Sequence, residues 1–437
     1  MTRSPSRRAV LAAAATPLLP GSTVAMTAAP SSRPPTSQPA DLGFDPGRLA
    51  ALDAYFERLV SGGEAVGATS LVLRHGRVAH AGCWGLADRQ AKTLMAWDTI
   101  FRMYSQTKPV TAVAMMILHE AGAWRLEDKL ADHIPEFRGL RVLVSTQPEG
   151  TFVTEPAPHE PTLLDLMTYT AGFTYGLNPD DPMTPAYQSR HVLGAPSLQA
   201  MIDALAGLPL AYPPGTQWRY GVSADIQGYL VEKLSGQSLP KFMAQRIFEP
   251  LRMSDTGFHL PAAKVGRLAA LYQQDAQGGP PADFPAQYLG DPTQPPAAPS
   301  GGAGLFSTAS DYARFCQMLL NGGELDGVRV LSPASVQALR SDHLLAGTPL
   351  STVGTPVPLV TRGMGFGFNV AVVTDPALAG TPVGAGTYFW GGAAGTWFWI
   401  DPQNDLVALG LMHVIRYPDN LRMGNAARTA LYGALRS

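Results

Sequence analysis

From Ser105 to Gly122 the chain reads Ser-Gln-Thr-Lys-Pro-Val-Thr-Ala-Val-Ala-Met-Met-Ile-Leu-His-Glu-Ala-Gly, a run of helical spacing that is apolar nearly all the way round. A helix without a polar face has to be buried, so the rest of the chain must fold around this segment. Gly122 stands where a helix C-terminus favours glycine. The start of the run carries chemistry. Ser105 falls in the first turn and Lys108 on the same face, so an amine is held beside a hydroxyl at a helix N-terminus. Serine attacks a carbonyl only with a base in reach and a field that favours the developing anion, and one turn of helix supplies both. The spacing alone does not decide the matter, because it recurs at Ser238-Leu-Pro-Lys241, where serine reads as an N-cap with proline in the first turn.

The size and charge of the chain narrow its partners. With 437 residues and 46% hydrophobic content it can bury a large core, and 32 basic against 34 acidic residues leave no electrostatic footprint for nucleic acid. A small neutral substrate fits this balance better. The 45 glycines and 39 prolines lie in short clusters without a repeat, as turns and long loops on a folded body require. Cys83 and Cys316, the only cysteines, each sit in an apolar stretch. They are expected as buried free thiols rather than a disulfide, with no metal framework and no cofactor.

The first residues read as an address. Ser6-Arg7-Arg8-Ala9-Val10-Leu11 leads into an alanine- and leucine-rich stretch followed by small residues, so 1–29 is expected to be an export signal of the twin-arginine type. The mature protein would then be periplasmic or extracellular. Pro34, Pro35 and Pro39 suggest a solvated linker over 30–44, before a folded domain over 45–437. No other segment is long and apolar enough to span a bilayer, so no membrane insertion is expected.

Periodicity predicts a helix over 46–62 and a hairpin over 65–84 with its turn at Arg74-His75-Gly76. From 126 to about 260 helical patterns dominate, at 162–168, 197–206, 223–235 and 240–248. Residues 275–303 form a long Pro- and Gly-rich loop. A helix over 310–320, three strand-like runs at 366–373, 387–400 and 406–414, and a helical tail over 420–435 complete the chain. Strands at both ends with helices between them imply an α/β fold. Its sheet, built from about 45–125 and 300–437, joins the termini, and a mainly helical region of about 126–299 is inserted.

Two further segments are chemical candidates. Pro213-Pro-Gly-Thr-Gln-Trp-Arg-Tyr-Gly-Val222 is a turn that delivers Tyr220 just ahead of a helix, where a phenol could shuttle a proton or simply pack. Phe389-Trp-Gly-Gly-Ala-Ala394 places paired glycines inside a strand-like run. Glycine weakens a strand, so something must approach the backbone closely: a substrate carbonyl, or the bulge beside a core tryptophan.

These segments, in this order, resemble the serine hydrolases of the class C β-lactamase superfamily. The resemblance covers about residue 45 to the C-terminus. It takes in Val66-Gly-Ala to Trp84-Gly, Asp98 to Asp128, Thr162-Leu-Leu-Asp-Leu-Met-Thr-Tyr-Thr-Ala-Gly172, Pro214-Gly-Thr216, Glu249-Pro-Leu-Arg-Met253 and Gly302-Ala-Gly-Leu-Phe-Ser-Thr-Ala-Ser-Asp311. The fold it implies is an antiparallel sheet flanked by helices. By this resemblance Ser105 matches the acylated serine, Lys108 its lysine, Tyr220 the tyrosine of Tyr-x-Asn, and Trp390-Gly391-Gly392 the Lys-Thr-Gly element. The N–H groups of Ser105 and Ala393 match the oxyanion donors.

The sequence departs from the pattern at Val222, where lactamases carry asparagine, and at Trp390, where they carry a basic residue. A tryptophan cannot pair with a substrate carboxylate and offers an apolar face, so neutral acyl groups are favoured. Trp-Gly-Gly is similar to the family VIII carboxylesterases and to related acyltransferases. The expected activity is cleavage of neutral small-molecule carboxylic esters through an acyl-serine, with acyl transfer, amide or D-peptide cleavage as alternatives and weak lactamase activity at most. A non-catalytic penicillin-recognising protein is the alternative of another class. No G-x-S-x-G elbow occurs, and His413 reads as structural.

Overall fold

A computed structural model describes residues 33–436, apart from 148–149, 276–278, 351–358 and 417–419. The expected export signal, with Arg7 and Arg8, lies outside the described residues.

The hairpin forms where its turn chemistry places it. Strands β1 (Gly67–Arg74) and β2 (Arg77–Asp88) meet at His75 and Gly76, with φ of 51° and 67°. Two positive φ values are what a two-residue turn between twisted strands needs. Helix α1 (Pro46–Ser61) precedes it; the Asp45 carboxylate accepts the Arg48 N–H, and Pro46 fills the first helical position. Residues 37–44, expected as part of a solvated linker, instead lie on the body. Ser37 donates to the Val78 carbonyl, a short 3-10 turn covers Pro39–Leu42, and Leu42 and Phe44 are buried.

The sheet has eight strands. After β3 (Thr93–Leu94) come β4 (Met364–Phe366), β5 (Ala371–Val373), β6 (Tyr388–Gly391), β7 (Trp397–Asp401) and β8 (Leu406–Met412). Their order is β4-β5-β6-β7-β8-β1-β2-β3, and β8 pairs antiparallel with β1 from Ala68↔Met412 to Arg74↔Leu406, so the sheet joins the two ends of the chain. The runs 366–373 and 387–400 each fold as a hairpin, not as one strand, turning at 367–370 and 392–395. The strands flanking both turns are buried on both faces, so no polar alternation marked their ends.

Helices cover both faces. On one, Phe56 of α1 stacks on Trp84 at 4.5 Å, and the tail helix (Asn420–Gly433) lies beside it. On the other lie α2 (Thr107–Glu120) and the Ala309–Leu320 helix, whose Tyr312 ring meets Phe398 at 5.4 Å. Every residue of α2 from Thr107 to Leu118 is buried. Cutting a buried methionine such as Met115 back to alanine costs about 2–5 kcal/mol. Cys316 is buried as expected; Cys83 is only half-buried, its thiol 3.6 Å from Thr69 Oγ1.

The inserted region is mainly helical, with the Leu163–Met167, Leu198–Ala206 and Ser223–Ser235 helices where periodicity placed them. It also contains a hairpin, Arg141–Thr146 with Phe152–Pro156, that sequence reading missed. The second serine-lysine pair is structural: Ser238 is an exposed N-cap, Pro240 lies in the first turn and Lys241 is exposed.

Candidate active site

The chain enters the site along a two-stranded ribbon, Phe101–Arg102 with Phe306–Ser307, extended by the Met103 N–H to Leu305 carbonyl bond at 2.9 Å. Tyr104 then turns the backbone sharply at φ 46°. A non-glycine residue in this region costs about 1–2 kcal/mol, and such strain persists only where the surroundings hold it. The result is a 3-10 turn, Tyr104–Gln106, that runs straight into α2 and presents Ser105 half-buried at its open end. The first amide groups of a helical segment have no acceptor within it, so the Ser105 N–H is available at that end.

Lys108, one turn on, is fully buried. Its Nζ lies 3.1 Å from Ser105 Oγ, 3.3 Å from the Tyr175 hydroxyl and 2.8 Å from the Gly302 carbonyl, which accepts from it. Two phenol rings wall it in, Tyr220 at 4.8 Å and Tyr175 at 5.2 Å. Burial disfavours the ammonium and brings its pKa down to about 7, with the Asp225 charge pulling the other way. Tyr220 completes the triad by donating to Ser105 Oγ at 2.7 Å. Burial, the largest influence, pushes its phenol well above the usual range. The lysine is thus the group suited to take a proton near neutrality, and the phenol to give a hydrogen bond.

Tyr220 is placed by the Thr162–Gly172 block. Thr162 and Asp165 cap their helix reciprocally, and Asp165 also accepts the Thr170 hydroxyl at 3.0 Å. This holds Tyr169, at φ 64°, with its ring stacked on Tyr220 at 5.9 Å and 8°. Trp390 packs on Tyr220 from another side, with ring centres 5.6 Å apart, and on Phe366 at 5.6 Å. The wall beside Ser105 is therefore aromatic.

At the second of the paired glycines the close approach comes from within the fold. A Cβ on Gly392 would run into the Met103 carbonyl oxygen and Thr396 Oγ1, so it is the strand leading to Ser105 that approaches this backbone. Gly392 N–H donates to Thr396 at 2.7 Å, which closes the turn that carries Ala393 and places it beside the Ser105 segment. Val222, expected at the substrate, is wholly buried: its N–H donates to Thr174, and it serves as the N-cap of the Ser223–Ser235 helix.

Four supporting side chains were missed from sequence. Asp225 Oδ1 accepts the Ser300 hydroxyl at 2.5 Å and the Gly302 N–H at 3.1 Å, so its carboxylate anchors the residue whose carbonyl holds Lys108. Thr111 donates to Gly301 at 2.7 Å, and Thr107 accepts Leu305 N–H at 3.1 Å. Asn369, at φ 60° on the β4-β5 turn, donates to the Lys108 carbonyl at 2.7 Å and shares two hydrogen bonds with Gln227. Only the block 302–311 hinted at any of this. The other contacts span up to 261 residues of sequence.

Among the described residues no group of three His, Cys, Asp or Glu is placed to hold a metal, and no helix is long and apolar enough to cross a membrane. His413 is structural: Nδ1 lies 2.5 Å from the Ala270 carbonyl, and burial brings its pKa down to about 4.

The model of the Beta-lactamase family matches residues 52–430. Protein Rv1367c of Mycobacterium tuberculosis is 36% identical over 370 residues, covering 83% of this chain and 89% of that protein. Esterase EstB of Burkholderia gladioli is 33% identical over 382 residues, covering 82% and 89%. Among solved structures, EstCE1, described as a hydrolase with promiscuous acyltransferase activity, superposes with a TM-score of 0.71 at 27% identity, covering 89% of this chain and 99% of that one.

Proposed function

Since the chain belongs to the Beta-lactamase family, as a serine hydrolase of the class C superfamily fold, we propose that it cleaves carboxylic esters of neutral small molecules through an acyl-Ser105 intermediate. The observation that carries this reading is the buried lysine 3.1 Å from a serine hydroxyl that also accepts from a tyrosine at 2.7 Å. Neutral Lys108 takes the Ser105 proton as Oγ bonds to the ester carbonyl carbon. The ammonium formed is held by the Gly302 carbonyl, and the carbonyl oxygen, now negative, is met by the N–H groups of Ser105 and Ala393. The tetrahedral intermediate collapses by breaking the bond to the alkoxy oxygen, which leaves with the proton that Lys108 took from Ser105, while Tyr220 donates its hydrogen bond to Oγ. Water then attacks the acyl-serine by the same route in reverse and releases the acid.

The choice of ester over β-lactam rests on Trp390. By the family resemblance it stands at the position of a basic residue, and its ring packs against Tyr220 and Phe366, so a substrate meets an aromatic face there in place of a cation. EstB and EstCE1 support the same direction. An alcohol in place of water would make the second step acyl transfer.

The test is a p-nitrophenyl ester series and a chromogenic cephalosporin, with Ser105→Ala beside the parent. Ester turnover is expected to exceed cephalosporin turnover and to vanish in the variant, while the parent shows a mass gain of one acyl group. Undiminished ester cleavage by Ser105→Ala would remove the nucleophile; dominant cephalosporin turnover would overturn the reading of Trp390.

A further inference from the structure

Arg428, on the face of the sheet turned away from Ser105, is a buried cation with no counter-ion among the described residues. It is only 7% exposed, and its guanidinium carbon lies 5.0 Å over the Phe389 ring and 4.9 Å over the Trp399 ring. Those two residues are direct cross-strand partners in β6 and β7. Phe389 and Trp390 are consecutive, so their side chains point to opposite faces of the sheet: Trp390 meets Tyr220, and Phe389 carries the arginine. Among the described residues, Arg428 makes one long hydrogen bond, Nη1 to Asn425 Oδ1 at 3.4 Å, and its Nε makes none. Aromatic faces offset only part of the cost of desolvating a cation, and a buried charge is ordinarily paired with an opposite one.

The space for one is present. Arg428, Asn425 and Thr429 share one side of the tail helix and line a cavity of about 210 Å³ with Thr381, Met364 and Phe389. The Thr381 hydroxyl is itself buried and without a hydrogen-bond partner. A guanidinium with an unpartnered Nε and an unpartnered hydroxyl therefore border one cavity, whose apolar wall is formed by Leu359, Met364, Pro382 and Phe389. Buried polar groups in folded proteins are paired as a rule, and two exceptions at the same cavity point to a shared ligand.

We propose that this cavity binds a small carboxylate bearing an apolar tail, with its head on Arg428 and the Thr381 hydroxyl and its tail against Met364 and Phe389. The planar guanidinium fork matches a carboxylate in geometry and charge. The apolar walls select against a bare, strongly hydrated anion. The binding chemistry is independent of Ser105, although a carboxylic acid is also what ester cleavage releases.

Calorimetric titration of the full chain with hexanoate tests this, using hexanol and inorganic phosphate as controls. The expected result is a saturable component in the parent that weakens at least about tenfold in Arg428→Met and measurably in Thr381→Val, a substitution of similar shape. Basal ester turnover stays unchanged in both variants. Hexanol should bind far more weakly, and phosphate should not displace hexanoate at equal concentration. A hexanoate isotherm that neither variant alters, hexanol binding as tightly as hexanoate, or full displacement by phosphate each overturns the proposal. If Arg428→Met fails to fold, Thr381→Val and Arg428→Lys decide it alone.

Discussion

Lys108 Nζ sits 3.1 Å from Ser105 Oγ at a position with no access to solvent. Distance and burial act together. A solvated lysine at the same distance would be protonated at neutral pH and useless as a base, whereas desolvation brings this one down to about 7. The all-round apolar helix is therefore part of the chemistry, because its burial is what removes water from the amine.

Ester turnover should rise with pH along a limb centred near 7, as Lys108 loses its proton. Lys108→Arg, which keeps the charge but cannot give it up, should abolish the limb and lower kcat at least about 100-fold. A kcat/KM profile from pH 5 to 9 on one neutral ester decides it. A flat profile in the parent would assign the base elsewhere.

The same burial has a stability signature. In the unfolded chain a lysine titrates near 10.4, and in the folded protein near 7. Between these values the unfolded state binds the extra proton, so stability rises with pH there and levels off below 7. Lys108→Met removes this contribution. The difference in unfolding free energy between parent and variant should thus swing in favour of the parent from pH 7 to 10, by at most about 1.4 kcal/mol per unit. Parallel stability curves would mean the amine is charged and compensated in the fold.

Asp225 works through Gly302. Its carboxylate accepts the Gly302 N–H at 3.1 Å, the Gly302 carbonyl accepts from Lys108 at 2.8 Å, and its charge raises the lysine pKa against desolvation. Asp225→Asn keeps an acceptor oxygen and removes the charge, so the acid limb should move to lower pH. Asp225→Ala also leaves Ser300 and Gly302 without their partner, and should cost about 2–3 kcal/mol of stability. If Asp225→Asn lowers kcat with no movement of the limb, the role is mechanical only.

What the sequence made readable was local. Helix α2 and the β1-β2 hairpin follow from periodicity and turn residues, and Ser105, Lys108 and Tyr220 from short motifs in a fixed order. Asp225, Gly302 and Asn369 act through tertiary contacts, which no local pattern encodes. Arg428 looked like any residue of a helical tail. Val222 shows the opposite case, a motif position whose side chain is buried in packing, and Gly392 is required by the approach of the Met103 carbonyl.

Gly392 couples the two halves of the site through its missing side chain. Its Cα faces the Met103 carbonyl, two residues before Ser105, and a methyl there would also strike Thr396 Oγ1. Neither neighbour gives easily, because Met103 is fixed by its bond to Leu305 and Thr396 by the turn it closes with Gly392. Gly392→Ala should therefore push the turn carrying Ala393 away from the Ser105 segment. Misplacement of about 1 Å costs on the order of 100-fold in rate, and overpacking a tight contact costs about 1–3 kcal/mol of stability. Gly391→Ala is the control, since its Cβ would meet the Thr396 carbonyl only at 3.1 Å. The expected outcome is a large drop in kcat for Gly392→Ala with the folded state retained, and a much smaller one for Gly391→Ala. Equal effects at the two glycines would show that the hairpin as a whole, rather than its contact with Met103, sets the geometry.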